Sequence, residues 1–338
     1  MPPTSRELVL QTLEFRNPVR APRQIWLLPW ANDHHPDEVA AIRRDFPDDI
    51  GGVGGHWSER PPTQGNPHMP GEYVDEWGSV FTNIQPGVIG EVKRPLIEDW
   101  DTDVGRVHFP REWLTIDRDA VNRDCAATDR FILAGVCPRP FEQIQFLRGT
   151  ENVYSDLASG EPRLLAFLRR MHELYVEVLE RWAKTDVDGL NFMDDWGTQR
   201  GLLIRPQVWR EVFKPMYRDY VQIAHAAGKK AFMHSDGHIL AIYPDLVEIG
   251  LDAVNSQLFC MGIENLEPFA GKITFWGEID RQHLLPNGSL DDIERAVETV
   301  HGLLWRKGGC IAQCEFGAGA RPENVRRVYE TWDRLTSA

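Results

Sequence analysis

The stretch GKKAFMHSDGHILAIYPDLVEIGLDAVNSQ, Gly228–Gln257, decides how this chain is read. Gly228 opens a short run ending in Ala231-Phe232-Met233, of a length that suits a buried strand better than a helix. A helix is expected over 239–249 and a second strand over 252–256. Polar groups crowd the point where each strand ends: His234, Asp236 and His238 after the first, Asn255 and Gln257 after the second. Strand, helix, strand with chemistry at the strand ends is the unit from which parallel α/β proteins are built.

The same alternation extends in both directions. Upstream, Arg23–Trp30 reads as a buried strand ended by Pro29, Phe131–Gly135 as another, and Val187–Met193 as a third running into Asp194-Asp195-Trp196-Gly197. Between the last two, residues 161–184 carry Leu164, Leu168, Met171, Tyr175, Val178 and Trp182 at helical spacing. A further helix starts near Pro206, a favoured first-turn residue, and Pro215 inside it predicts a kink or break. Downstream come a short helix near 263–269, a strand over 272–277, a helix over 290–307 led by Ser289-Leu290-Asp291-Asp292, a strand over 310–313 and a helix over 322–335. Thr4-Ser5-Arg6-Glu7 has the form of a capping box and predicts a short first helix. The units recur every roughly 20 to 40 residues, which predicts one (β/α)8 TIM barrel spanning 1–338. Residues of about 45–125 hold Gly51-Gly52-Val53-Gly54-Gly55 and a Pro/Gly-rich stretch at 61–71, and are expected to form an irregular, loop-rich insertion.

Composition narrows the function. Asp and Glu outnumber Lys and Arg by 51 to 37, a net charge of -14, which disfavours a nucleic-acid surface. No run approaches the roughly eighteen apolar residues of a membrane span. The first residues carry no apolar segment of a secretory leader, and five dispersed cysteines read as reduced thiols, so a cytoplasmic protein acting on a small molecule is expected. No glycine-rich dinucleotide fingerprint follows any strand.

In a barrel, residues just past the strand C-termini line the active site. That frame gathers Asp194 and Asp195, His234 and Asp236, Asn255 and Gln257, Gly277-Glu278-Ile279-Asp280, and Cys314 with Glu315 at one end. Asp194, Asp195, His234 and Glu278 are the candidates for proton transfer, since close carboxylates raise one another's pKa. His234, Asp236 and Cys314 offer nitrogen, oxygen and sulfur, a donor set that zinc accepts with a fourth place left open. Trp30, Trp77 and Trp196, with Gln199, Asn255 and Gln257, are the candidate substrate contacts. Each has a plainer reading alone: either aspartate can cap the next turn, Cys314 can be a small buried residue, and tryptophans fill cores.

From about residue 185 onward the chain resembles the uroporphyrinogen decarboxylase superfamily, which also contains zinc-dependent corrinoid and coenzyme M methyltransferases. The resemblance is carried by Asp194–Gln199 (DDWGTQ), Leu203–Pro206 (LIRP), Lys214–Tyr217 (KPMY), His234–Gly237 (HSDG), Asn255–Gln257 (NSQ), Gly277–Asp280 (GEID) and Pro322–Val325 (PENV). Weaker agreement at Asp75–Gly78 (DEWG), Phe141-Glu142 and Leu147–Gly149 (LRG) extends it over nearly the whole chain. It implies a (β/α)8 barrel, commonly a homodimer. The arginine-rich motif with which the porphyrin decarboxylases hold substrate carboxylates is replaced here by Ile25–Ala31, which places Trp30 at the pocket entrance. The methyltransferase branch has His-x-Cys followed by a second Cys near the C-terminus; here the pattern is His234-x-Asp236 followed by Cys314.

Three readings follow from the resemblance. The first is a methyltransferase-like enzyme, moving a methyl group between a methylated small molecule and a corrinoid (cobalamin), tetrahydrofolate or thiol acceptor, with zinc assistance and a corrinoid protein as partner. The second is a metal-free decarboxylase acting on a carboxylated pyrrole or aryl compound. The third is a non-catalytic ligand-binding barrel.

Overall fold

The computed structural model describes residues 2–337. Eight parallel strands form the centre: β1 (Arg23–Leu27), β2 (Ile50–Gly52), β3 (Phe131–Leu133), β4 (Gly189–Met193), β5 (Lys230–Ser235), β6 (Ala253–Ser256), β7 (Thr274–Trp276) and β8 (Cys310–Phe316). Their order is β1-β8-β7-β6-β5-β4-β3-β2, a nearly closed barrel in which chain order is spatial order. The seam lies between β1 and β2, where no ladder forms.

One backbone bond, from the Asp49 N–H to the Arg23 carbonyl at 2.8 Å, crosses this seam, and side chains supply the rest. Phe46-Pro47-Asp48-Asp49 leads into β2, and the proline cannot donate to a neighbouring strand. The N–H of Ile25 donates to Asp48 Oδ1 at 2.7 Å, and that of Arg23 to Asp49 Oδ2 at 2.8 Å. Asp49, 1% exposed, also takes a two-pronged contact from Arg20 at 2.6 and 2.8 Å and the Ser5 hydroxyl at 2.7 Å. One carboxylate thus ties together β1, the entry to β2 and the first helix (Ser5–Leu13). That helix starts on the expected capping box at Thr4 and Glu7. Its Val9 and Leu13 pack with Ile50, Phe131, Phe232, Trp276 and Ile311, which closes the N-terminal end of the barrel.

Between strands and helices lies the main core. Helix Pro162–Trp182 buries the predicted stripe. At Pro215 the expected break is present: one helix runs Pro206–Val212 and the next Lys214–Ala226. The insertion differs from expectation at both ends. Ile50–Gly52 is a barrel strand paired with β3, and helix Arg118–Ala126 already belongs to the return, so the excursion covers 53–117. Nor is it wholly irregular, for Gly71–Val74, Val80–Asn83 and Glu91–Val92 form an antiparallel sheet. Asp75 makes its first turn by accepting the N–H groups of Trp77 and Ser79 at 3.0 and 2.6 Å, and Gly78 takes the positive φ of 89° that the turn requires. All five cysteines are free. Among the described residues no helix is long and apolar enough to cross a membrane.

Replacing Asp49 by alanine leaves the Arg23 N–H unpaired and the Arg20 guanidinium without a counter-charge, held only by the Ala21 carbonyl. The expected loss is about 3–5 kcal/mol of unfolding free energy, read from urea denaturation. A loss under about 1 kcal/mol would show that the seam is held by other contacts.

Candidate active site

The mouth of the barrel is built by strand ends whose outward and inward faces alternate. On β4 and its continuation, Met193 lies beside His234 of β5, and Asp194 and Asp195 leave in opposite directions. Asp194 is fully buried on the helix side. Its oxygens accept the N–H groups of Phe141 and Glu142, the first turn of helix Pro140–Arg148, at 3.0 and 2.7 Å, and the Tyr217 hydroxyl at 2.5 Å. Burial pushes its pKa up against those donors. Asp194 is therefore an anchor for a helix start, where the unpaired N–H groups favour a carboxyl oxygen.

Asp195 turns to the mouth. Its Oδ1 accepts the N–H of Asp236 at 3.0 Å and lies 3.6 Å from His234 Nε2. Asp236 Oδ1 lies 3.8 Å from the same nitrogen and is buried without a hydrogen-bond partner. Donor atoms of Asp195, His234 and Asp236 all fall within 4.8 Å of one another.

The tautomer of His234 follows from its neighbour. The Trp276 carbonyl can only accept, so Asn255 presents its amide nitrogen there and its oxygen to His234 Nδ1, 2.7 Å away. That oxygen can only accept, so Nδ1 carries the proton. In the neutral ring Nε2 is then an unprotonated lone pair facing two carboxylates, the orientation a metal-binding histidine adopts. Trp26 stands over the ring, centroids 5.3 Å apart, and packs edge-on against Trp276.

Arg281 binds the rest of the mouth together. Its guanidinium pairs with Asp236, reaches Glu315 at 2.7 Å and stands 3.4 Å from Glu278. Burial pushes the Glu278 carboxyl up to about 8, with Asp236, Glu315 and Asp280 adding to the rise and Arg281 opposing it. Glu278 is 2% exposed and its Oε1 has no partner. Beside it opens a cavity of about 200 Å³ lined by Gln199, Gln257, Phe259, Cys260, Glu278 and Arg281. Gln257 Oε1 there accepts from Gln199 Nε2 at 3.0 Å and from the Gly237 N–H at 3.2 Å.

Several expected site residues lie elsewhere. Cys314 is not brought to the metal-binding group: on β8 it shares the outer face with Cys310 and Ala312, packs in the helix-side core, and burial holds its thiol well above the usual range. Its neighbour Glu315 takes the inward place. Trp196 is fully buried, stacked on Phe141 at 4.1 Å and bonded through Nε1 to Tyr217. Trp77, 1% exposed, packs against Phe109, Trp113 and Tyr175 beneath the insertion. Trp30 follows β1 in a short helix and stacks on His34. Arg281, Trp26 and Glu142 are the residues that sequence reasoning missed. Glu315 was placed at the mouth beside Cys314 but given no role, although Ile311, Gln313 and Glu315 share one strand face.

His234 Nε2 and the two carboxylates beside it, one with an unpartnered oxygen, could hold a divalent cation. Nitrogen and oxygen donors match zinc, as a harder centre than a thiolate would give.

The family model described as uroporphyrinogen decarboxylase (URO-D) matches residues 82–335. No curated protein matches the sequence. Among solved structures, a methyltransferase from Methanosarcina mazei superposes with a TM-score of 0.66 at 14% identity, over 98% of this chain and 99% of that one. A B12-independent methionine synthase from Shewanella sp. W3-18-1 gives a TM-score of 0.47 at 9% identity, over 65% of this chain and 66% of that one. At such identities the first likeness shows the shared fold.

Asn255→Ala removes the acceptor that holds the Nδ1 proton. Zinc affinity is expected to fall roughly 10- to 100-fold, measured by isothermal titration. Unchanged affinity would separate Asn255 from metal binding.

Proposed function

The chain belongs to the uroporphyrinogen decarboxylase family, and from that premise we propose that it is a methyltransferase-like enzyme, transferring a methyl group from a methylated small molecule to a corrinoid, folate or thiol acceptor. The observation that carries this reading is His234 Nε2 facing Asp195 and Asp236 while Asn255 holds Nδ1. These three residues would hold a zinc ion, whose chemistry is to polarise a donor heteroatom or lower the pKa of a thiol. A corrinoid protein is the macromolecular partner the reading allows.

This chain's own groups supply the remaining parts. Asn255 keeps His234 in the right tautomer. Gln199 and Gln257 present amide groups to a substrate in the cavity beside them. Glu278 is protonated near neutrality, and its Oε1 faces no competing partner. As the acceptor's electron pair forms the new bond to the methyl carbon, the bond from carbon to the donor heteroatom breaks. The Glu278 proton passes to that heteroatom, which leaves neutral while Glu278 becomes a carboxylate. Arg281, 3.4 Å away, stabilises the charge that results. A polycarboxylated substrate fits this mouth poorly, because Arg281 is already shared among Asp236, Glu278 and Glu315.

Protein purified without added metal is expected to carry close to one equivalent of zinc, and His234→Ala to lose it. Content below about one-tenth equivalent, unchanged by the substitution, would remove the metal from the mechanism.

The Glu278 proton also sets a pH dependence. Activity is expected to fall as pH rises through about 8, and Glu278→Gln to be strongly impaired at every pH. The stability effect has a definite sign. The unfolded chain ionises this carboxyl near its ordinary value of 4.5 and the folded chain only near 8, so across that interval the fold binds the extra proton. Stability therefore declines from pH 4.5 to 8 on account of this group, and Glu278→Gln should flatten that part of the decline in thermal melts.

A further inference from the structure

On the opposite side of the His234 group from Glu278 lies a second cavity, of about 270 Å³, between the barrel mouth and the insertion. Trp57, Trp113 and Tyr175 form its walls, and Arg139 and Glu76 supply charge. Trp113 and Tyr175 are nearly parallel, 18° between planes. Trp57 lies back over Gly55 so closely that a Cβ there would fall 1.8 Å from the indole, so the position of this wall depends on that glycine. Met193, next to His234 in the barrel register, forms part of the floor, so the cavity adjoins the His234 group.

Unsatisfied polar atoms lie on this cavity and just behind its lining. Glu142 Oε2, outside the lining but 3.6 Å from the lining residue Arg139 and so beyond bonding reach of it, is buried without a hydrogen-bond partner. The Asn191 amide oxygen, on the same strand face as Met193, is a second buried acceptor without a partner, and the Trp57 indole N–H is an unpartnered donor. Each such group is costly to bury if nothing meets it. Aromatic walls ask for a flat ring. Two acceptors ask for N–H groups on the ligand, and the indole N–H and Arg139 ask for an acceptor beside them.

We propose that this cavity is a binding site for a flat N-heterocycle of one or two rings, lying against Trp57 and Trp113, with N–H groups donating to Glu142 and a ring or carbonyl acceptor facing Trp57 Nε1 and Arg139. A ring system with an amino group beside a ring N–H, as in 2-amino-4-oxopteridine, has that edge. A corrin macrocycle is too large for the space, so a corrinoid could meet the centre only from the open mouth. If the methyl-transfer reading holds, on which this last point rests, the heterocycle is the head of the small methyl carrier, and the two cavities place donor and acceptor on opposite flanks of His234.

The test is equilibrium dialysis of 2-amino-4-oxopteridine against the full chain after removal of metal with EDTA, so that its result is independent of the metal site. Saturable binding at one equivalent is expected. Glu142→Gln should weaken it about tenfold, and Trp57→Ala roughly three- to tenfold. Gly55→Ala, which keeps every ligand-contacting side chain and shifts only the indole, should weaken it as well. Gln257→Ala, in the other cavity, should leave it unchanged. 2-Naphthoate, of the same size with no N–H edge, should bind at least about tenfold more weakly. Absence of saturable binding up to about 1 mM, equal binding of naphthoate, or a greater loss from Gln257→Ala than from Glu142→Gln would each overturn the assignment. Because zinc content and pH profile are measured separately, failure of the transferase reading would leave this result standing, and the reverse.

Discussion

In a strand, successive side chains leave on opposite sides, and a barrel turns that geometry into a division of labour. Each neighbouring pair at the mouth sends one member inward to the chemistry and one outward to the packing. Asp195 faces His234, while Asp194 holds the start of a helix. Glu315 reaches Arg281, while Cys314 fills the helix-side core. Outward residues are as demanding as inward ones: the carboxyl of Asp194 fixes helix Pro140–Arg148, whose Glu142 then stands beside the centre.

The inward set is unusual in its charge. Asp195, Asp236, Glu278 and Glu315 converge on His234 and Arg281. Four ionised carboxylates in partly desolvated positions would repel one another strongly, and the mouth relieves this in two ways. Arg281 neutralises part of the charge, and Glu278, the most buried of the four, keeps its proton to about pH 8. The group that relieves the repulsion is therefore the one that still holds a proton at neutral pH. Arg281 also holds Asp236 by one oxygen and leaves the other, Oδ1, free toward Nε2. The same ion pair that stabilises the loop after β7 sets the angle of the carboxylate facing His234.

Periodicity made the fold legible because buried strands and one long amphipathic helix leave strong, regular signals. Gly228–Met233 and the stripe from Leu164 to Trp182 are examples. The seam was not legible in this way. Asp48 and Asp49 look like turn residues, and only their contacts with Arg20, Arg23 and Ile25 show that they stand in for a ladder. The insertion was misjudged for a related reason: Gly51 and Gly52 read as loop, yet β2 gets its pairing from β3, far along the chain. At the site, the strand-end rule located the correct loops but could not choose within them. Trp77 and Trp196 drew notice as aromatic residues near polar motifs, and both are packing anchors. Arg281 went unnoticed because its role depends on three partners contributed by separate loops.

The Asn255 amide shows why such a choice needs three dimensions. Its nitrogen is committed by the Trp276 carbonyl on β7 and its oxygen by His234 on β5, so a residue on β6 reads the strand on either side and converts their spacing into a protonation state. Were the amide turned over, its nitrogen would face Nδ1 and the ring would have to place its proton on Nε2, toward the carboxylates. A histidine in that state donates to Asp195 and Asp236 and cannot bind a cation. Which ring nitrogen of His234 faces the carboxylates without a proton in the neutral ring is thus held by the Trp276 carbonyl, acting through Asn255. That carbonyl is fixed by the barrel, since β7 is paired on both sides. The tautomer available at His234 is in this sense a property of the neighbouring strand: a sheet ending at β6 would carry the same His234 and Asn255 without determining which nitrogen is free.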